Sequence, residues 1–293
     1  NKDEVFSVDK GVFLQELKSL MACSHGLDAL SFFQLVHIAY EKTLNNSSDK
    51  RMLFYHIHNP YSYAKLNFIR LAPEANWLMM IREPLQSCES WIRRRFYDLD
   101  YENIVSRISG MLFQIDDTIG CNRDSVVIRL EDLKERPKAT IAALCGWMGI
   151  DEEKSLYEMT FQGKKWWGDP SSPDFQKDGM DPFGKTSINR KVGSIFSEND
   201  QFILRTLFYP FLVRFGYTEE NEEQFKGDLE TIRPMLDKIF DFEKDIAEKI
   251  QISFEELIGS GSYLYLRSGL IERWNTLDEF YTYPNMIPAL KIN

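Results

Sequence analysis

The sequence predicts a three-layer α/β fold, in which helices cover both faces of a central parallel sheet. Short apolar runs typical of buried strands alternate with longer segments of helical periodicity. Strands joined through helices pair in parallel, because the helix carries the chain back to the same end of the sheet. With 293 residues, 43% of them hydrophobic, the chain is long enough to bury a sizeable core.

Each predicted element rests on its apolar spacing and on the residues at its ends. Strands are predicted at short apolar runs, namely Arg51 to His58, Trp77 to Ile81 and Ser125 to Leu130. Helices are predicted where apolar residues recur every three or four positions: Phe13 to Thr43, Ala64 to Leu71, Leu85 to Phe96, Tyr101 to Thr118, Pro137 to Met148 and Asp200 to Phe215. Residues 162–195 are rich in Gly, Pro, Ser, Asp and Lys and are predicted to form a long loop.

The C-terminal part is predicted to be an acidic helical extension, residues 218–293, that packs on a core of residues 1–217. Much of the formal net charge of -10 lies between Thr218 and Ile258, where 13 residues are acidic and 5 are basic. Apolar residues recur there at helical spacing and require a partner surface. They are Leu229, Ile232, Leu236, Ile239, Ile246 and Ile250.

Composition and motifs argue against several classes of function. The chain has no long basic stripe for nucleic acid and no apolar run as long as a membrane span. Its four cysteines include no C-x-x-C pair, which argues against a zinc site, and no metal is expected. We expect a cytoplasmic protein, with homo-oligomers left open. Overlapping sequons at Asn45 and Asn46 keep an alternative, a lumenal catalytic domain cut from a membrane-anchored precursor.

The segment W-L-M-M-I-R-E-P-L-Q-S-C-E-S-W-I-R-R-R-F, residues 77–96, predicts a phosphate site at a strand-to-helix junction. Arg82 follows the apolar run, Pro84 is suited to open a helix, and Ser87 and Ser90 share a helical face. A cation and hydroxyls beside the positive end of a helix favour a bound anion, so Arg82 and Ser90 are predicted to hold one phosphate. The alternative is that Arg82 pairs with a glutamate, Glu83 or Glu89, and that the serines face solvent.

The chain resembles the PAPS-dependent sulfotransferases, which transfer a sulfuryl group from 3'-phosphoadenosine 5'-phosphosulfate (PAPS) to a hydroxyl or amine. In that family an Arg at a strand end and a Ser eight residues later bind the 3'-phosphate, positions that match Arg82 and Ser90. Residues 125–150, S-V-V-I-R-L-E-D-L-K-E-R-P-K-A-T-I-A-A-L-C-G-W-M-G-I, resemble the family's strand, E-D-L turn and Pro-started helix. R-K-V-G-S, residues 190–194, resembles the loop that closes over the 3'-phosphate, which implies cofactor contacts from Arg190 and Lys191.

The resemblance also implies a catalytic base. Many members carry a His in an H-x-P context, and H-I-H-N-P places His58 there, 24 residues before Arg82. An imidazole can remove the acceptor proton near neutral pH while the acceptor attacks sulfur in line. His56 points to the same side of a predicted strand and is the alternative base. The implied fold is the P-loop-type sulfotransferase fold, acting on a small-molecule or carbohydrate acceptor.

The family's 5'-phosphosulfate loop, a P-x-S-G-T-type turn, has no match in the sequence. Because the first residue is Asn and not Met, we expect this loop and its strand to precede residue 1. Y-L-Y-L-R-S-G, residues 263–269, is the alternative, as a strand followed by Arg267-Ser268-Gly269. Two further hypotheses stay open: a non-catalytic sulfotransferase-like scaffold, and a kinase or NTPase in which Gly179 to Thr186 is a Walker A loop with Lys185 on the phosphates.

Overall fold

The computed structural model describes residues 7–46, 50, 52–57, 62–114, 124–161, 164–166, 168, 181–280 and 287–292. Within them the protein belongs to the α/β class and is mostly helical, with a small parallel sheet. The chain divides into two compact units, Asn1–Ala75 and Asn76–Asn293. Every helix in the described ranges is too short or too polar to cross a lipid bilayer.

The N-terminal unit contains three helices, α1 (Lys10–Ala22), α2 (Ala29–Thr43) and α3 (Ser62–Leu71). The helix predicted over Phe13 to Thr43 is therefore two helices. The break is a short turn that ends at Asp28, whose carboxylate caps α2 by accepting from the Ser31 amide at 2.7 Å.

The strand predicted at Arg51 to His58 is wrong for residues 52–57, which have no regular secondary structure. Arg51 and His58 themselves lie outside the described residues. This apolar run is held by ring contacts of Tyr55 and not by hydrogen bonds to a neighbouring strand. Tyr55 stacks on Phe68 with ring centroids 4.7 Å apart and meets Phe33 edge to face at 5.2 Å.

The C-terminal unit is built around two parallel strands, β1 (Trp77–Ile81) and β2 (Ser125–Arg129), at the positions that the sequence predicts. Their register runs from Trp77 opposite Ser125 to Ile81 opposite Arg129. Near the C-terminus the chain pairs with the other edge of β2, where the Val127 amide donates to the Pro288 carbonyl at 2.9 Å. A separate two-residue pairing joins β3 (Thr160–Phe161) and β4 (Lys164–Lys165).

Ten helices of the described part surround this sheet or pack beside it. They are α4 (Pro84–Tyr97), α5 (Tyr101–Gln114), α6 (Leu130–Glu135), α7 (Pro137–Met148), α8 (Glu198–Leu207), α9 (Tyr209–Arg214), α10 (Glu222–Ile232), α11 (Asp241–Ile250), α12 (Phe254–Ile258) and α13 (Gly261–Phe280). Pro84 and Pro137 start their helices as predicted, because an absent N–H costs nothing in a first turn. The segment predicted as one helix over Asp200 to Phe215 divides at Phe208, before the Pro210 that opens α9.

The acidic segment contributes directly to the main hydrophobic core. Leu229, Ile232, Leu236 and Ile246 are all buried in one cluster with side chains of α4, α5 and α8. Residues on both sides of the predicted boundary at residue 217 therefore share this core, and the compact units divide after Ala75. The apolar stripe found in the sequence has its partner surface within the same unit.

Candidate anion-binding site

The carboxyl ends of β1 and β2 place two arginines at one edge of the sheet. Ile81 lies opposite Arg129 in the parallel register, and Arg82 follows Ile81 directly. After β1 the chain enters α4, and after β2 it enters α6. In open α/β sheets ligands bind outside the carboxyl ends of the strands, so this edge is the natural position for a site.

Arg82 is half-buried, and its hydrogen-bond partners are all neutral. Its Nε donates to the Ser87 hydroxyl at 3.2 Å, and its two Nη atoms donate to the carbonyls of Ser187 at 3.1 Å and Gln86 at 2.8 Å. A guanidinium carries five N–H donors, so three bonds leave donors available. Within the described ranges Arg82 forms no salt bridge with a carboxylate.

The two glutamates proposed as alternative partners of Arg82 are engaged elsewhere. Glu83 caps α4 by accepting from the Gln86 amide at 2.5 Å. Glu89 accepts from backbone amides of residues 193–196, including Gly193 at 2.9 Å. The alternative in which Arg82 pairs with either glutamate is therefore wrong for this structure.

Ser90 meets the second cation of the site. Nη1 of Arg190 donates to the Ser90 hydroxyl at 3.2 Å, one helical turn from the contact between Arg82 and Ser87. Partial burial, and then the like charge of Arg190, lower the pKa of Arg82, although Glu131 and Glu83 oppose this effect. Two guanidinium groups and two hydroxyls thus meet on one face of α4. A doubly charged anion bound there would relieve the repulsion between the two guanidinium groups.

The start of α4 contributes less to this site than the sequence predicts. Pro84 has no N–H, the Gln86 amide is bound by the Glu83 carboxylate, and the Ser87 amide donates to the Glu83 carbonyl at 2.9 Å. The capping carboxylate already occupies the positive end of the helix. An anion at this junction would be held by side chains and not by helix-start amides.

The loop of residues 185–196 lies along α4 and covers a polar stripe. The stripe consists of Gln86, Glu89, Ser90 and Arg93, which recur at helical spacing on one face of α4, together with Arg82 just before the helix. Each side chain of the stripe makes at least one hydrogen bond to the loop, as when the Gln86 amide donates to the Ile188 carbonyl at 3.0 Å. The structure thereby brings together Arg82, Ser90 and Arg190, and the exposed Lys191 follows in the same loop.

Three buried polar atoms of this interface have no hydrogen-bond partner among the described residues: Oε1 of Gln86, Nε of Arg93 and Oγ of Ser187. An unpaired buried polar atom costs free energy, on the order of 1–3 kcal/mol. Gln86 and Ser187 both contact Arg82, through their backbone carbonyls. The sequence did not single out Gln86 or Ser187, although Gln86 lies in the first turn of α4, four positions after Arg82.

The second strand-end cation has a structural role. Arg129 binds Asp132 with Nε and Nη2 at 2.7 and 2.8 Å, and its Nη1 donates to the carbonyls of Phe215 and Gly216, both at 3.1 Å. Burial alone would raise the pKa of Asp132, but the hydrogen bonds from Arg129 and Arg136 hold it below its usual value. Arg129 thus joins β2 to α6 and to the end of α9.

His58 is the catalytic base that the resemblance implies. His58 lies outside the described residues, and the alternative, His56, is an exposed residue of the irregular segment 52–57 in the N-terminal unit. The assignment of a catalytic histidine stays a prediction.

The late phosphate loop proposed at residues 263–269 is wrong, because this segment lies inside the helix α13. Arg267 is buried and donates to the Glu243 carboxylate and to the carbonyls of Leu236 and Lys238, at 3.3 and 2.7 Å for the latter two. Its charge is neutralised in the core, so it is not available to a nucleotide.

Part of the Walker A alternative also lies outside the described residues, since Gly179 and Met180 are not described. From Asp181 onward the chain forms turns, and Lys185 opens a single 3-10 turn, Lys185–Ser187. A Walker A loop instead leads into a helix whose first amides bind phosphate. The described half of the motif does not have this geometry.

Among the described residues, no group of three His, Cys, Asp or Glu side chains is arranged to hold a metal ion. No protein-family model matches the chain, and no curated protein and no solved structure matches it. Inferences about its function therefore depend on the residues and their geometry.

Proposed function

We propose that the protein is a PAPS-dependent sulfotransferase of the P-loop-type fold, in which Arg82, Ser90 and Arg190 bind the 3'-phosphate of PAPS. The observation that carries the proposal is the convergence of two guanidinium groups on the serines of α4 without a carboxylate partner in the described part of the chain. Lys191 adds a further positive charge from the same loop. A bidentate guanidinium suits a phosphate dianion better than it suits a neutral ligand.

The proposed reaction transfers a sulfuryl group to a hydroxyl or amine. PAPS supplies the activated sulfuryl group, and adenosine 3',5'-bisphosphate (PAP) is the leaving group. In the proposal His58 accepts the acceptor's proton, because a hydroxyl is a weak nucleophile near neutral pH. In the proposal the acceptor is a small molecule or a carbohydrate, and the location is cytoplasmic.

The order of elements supports the fold assignment. In the family the 3'-phosphate Arg ends one strand and its Ser lies on the next helix, and Arg82 and Ser90 occupy these positions on β1 and α4. The E-D-L segment occupies α6 after β2, and a helix started by Pro137 follows it. The loop that contains Arg190 contacts Ser90 of α4.

A thermal-shift experiment with PAP and adenosine 5'-phosphate (AMP) tests the proposal. A ligand present at about 100 times its Kd stabilises the folded state by about 2.7 kcal/mol, so PAP should raise the melting temperature. AMP lacks the 3'-phosphate and should raise it less. Arg82→Ala should abolish the difference between the two nucleotides, because it removes one of the two guanidinium groups.

Arg94→Ala is the matched control for that variant. Arg94 lies on the same helix with 88% of its side chain exposed, so its loss should leave the PAP effect intact. Melting that is unchanged by PAP, or that responds equally to ATP, would contradict the proposal. Binding without sulfuryl transfer to any acceptor would favour the non-catalytic scaffold, and ATP turnover that Lys185→Ala abolishes would favour the NTPase.

A His58→Ala variant tests the catalytic assignment separately. It should bind PAP with unchanged affinity, since the histidine acts on the acceptor, and it should lose sulfuryl transfer. If the variant keeps full turnover with PAPS, the base is another residue.

A further inference from the structure

Glu89 is a buried carboxylate at the centre of the α4 stripe, with 2% of its surface exposed. It accepts hydrogen bonds from the amides of Gly193 at 2.9 Å and Ser194 at 3.2 Å, with longer ones from Ile195 and Phe196. The Ser194 hydroxyl adds a bond of 2.6 Å. Burying a carboxylate costs several kcal/mol, so these donors, together with Nη2 of Arg93 at 3.6 Å from Oε1, are what keep the charge in place.

The successive amides of residues 193–196 form a concave anion-binding nest. Gly193 makes the nest possible because its φ of 114° lies in a region that other residues rarely adopt, and because a Cβ there would lie 3.3 Å from Nε2 of Gln201. The nest is filled by Glu89 and not by a ligand. A ligand phosphate must therefore bind outside it, on the guanidinium side of the loop.

Two neighbouring residues of α4 fix where the loop lies along the helix. Glu89 holds the loop at residues 193–196, and Ser90 receives the side chain of Arg190, three positions earlier in the loop. Arg93 adds a bond from its Nη2 to the Ser194 hydroxyl at 2.9 Å. Burial would raise the pKa of Glu89, but the Ser194 hydroxyl and the amides hold it below its usual value, so it remains an acceptor at neutral pH.

We infer that Glu89 is the positioning residue of the 3'-phosphate site: by binding the amides of residues 193–196 it holds Arg190 beside Ser90. The inference deepens the proposed function and rests on it, because it assigns the residue that assembles the loop half of that site. Glu89 itself touches no ligand. Its removal therefore lowers the population of the loop arrangement that binds a 3'-phosphate and leaves the Arg82 half of the site in place.

Glu89→Gln tests the inference, because the change keeps the size of the side chain and turns one acceptor oxygen into an N–H donor that faces other donors. In the ligand-free variant, the hydrogen-exchange protection factors of the Gly193 and Ser194 amides should be at least about tenfold lower than in wild type. These two residues are exposed, so their amides owe protection to Glu89 and not to burial in the core.

Nucleotide binding gives the second readout. If only about a tenth of the molecules keep the closed loop, the Kd for PAP rises about tenfold, because apparent affinity scales with the competent fraction. The Kd for AMP, which lacks the 3'-phosphate, should stay within about twofold. If Glu89 had a purely structural role, Glu89→Gln would weaken the binding of both nucleotides or of neither. Arg94→Ala, at a side chain that is 88% exposed and pairs with Asp98, should change none of these values.

Failure of the inference and failure of the proposed function give different results. If wild type binds PAP no more tightly than AMP, the proposed function fails. If wild type discriminates between them and Glu89→Gln discriminates equally well, or if the Gly193 and Ser194 amides keep their protection, the inference fails. Should Glu89→Gln not fold, Ser194→Ala replaces it, since it removes the hydroxyl that bonds Glu89 and Arg93 and should produce smaller changes of the same kind.

Discussion

The two arginines that follow neighbouring strands have opposite surroundings. Arg129, at the end of β2, is paired bidentately with Asp132 and bonded to two carbonyls. Arg82, at the end of β1, is bonded to a hydroxyl and two carbonyls, and faces Arg190. The same residue type in nearly the same position of the sheet is paired with a carboxylate in one case and hydrogen-bonded to neutral groups in the other.

The pKa values of the two guanidinium groups express the same contrast. Hydrogen bonds to Asp132 raise the pKa of Arg129, whereas burial and then the charge of Arg190 lower the pKa of Arg82. A folded protein that keeps two guanidinium groups close together, with no carboxylate in salt-bridge contact in the described part of the chain, gives up stability at that position. Such an arrangement is typical of a site that binds an anion, and it supports the proposal that Arg82 binds a ligand whereas Arg129 has a structural role.

The largest expected effect is the loss of stability in Arg129→Met. The change leaves the Asp132 carboxylate, whose side chain is only 10% exposed, with Arg136 as its remaining charged partner. Breaking a buried pair costs about 3–5 kcal/mol, and the partial exposure of Arg129 places our expectation at the lower end, about 3 kcal/mol. Urea unfolding followed by tryptophan fluorescence measures it, because all 6 tryptophans lie in residues 76–293.

The same substitution at the other strand end should cost much less. Arg82→Met removes three hydrogen bonds to neutral groups and also removes the repulsion with Arg190, so we expect a loss of about 1 kcal/mol. The same urea experiment applies, with Arg129→Met as the matched variant. Equal losses for the two variants would mean that Arg82 is a structural residue, and the contrast between the arginines would then have no functional meaning.

The sequence predicts the part of the site whose residues lie close together along the chain. Arg82, Pro84, Ser87 and Ser90 lie within nine consecutive positions, so strand and helix periodicity fix their arrangement. The resemblance added Arg190, about a hundred residues later, and the structure places its side chain on Ser90. Arg129 was not singled out, because its structural role depends on Asp132 and on carbonyls of residues 215 and 216 that only the fold brings near.

Other features could not be predicted from periodicity. An apolar run at residues 52–57 looks like a strand, but strands require a pairing partner, and Tyr55 packs on the rings of Phe33 and Phe68 instead. Likewise, residues 263–266 form a short apolar run as a strand would, yet burial of Leu266 and Leu270 against the core favours α13. The role of Glu89 was missed because one acidic residue on a polar helix is usually solvated.

The smallest expected effect is the change in stability of Arg190→Gln, and its sign tests whether Arg82 and Arg190 repel each other. Arg190→Gln removes one of the two like charges, so the ligand-free protein should lose no stability and should gain up to about 0.5 kcal/mol. Arg94→Gln is the matched control: it removes an exposed pair with Asp98, whose atoms lie 3.5 Å apart, and should lose up to about 0.5 kcal/mol. High salt should shrink both differences, because it screens exposed charges. A loss above about 1 kcal/mol in Arg190→Gln would mean that its bond to Ser90 outweighs the repulsion, and the two arginines would then need no anion between them.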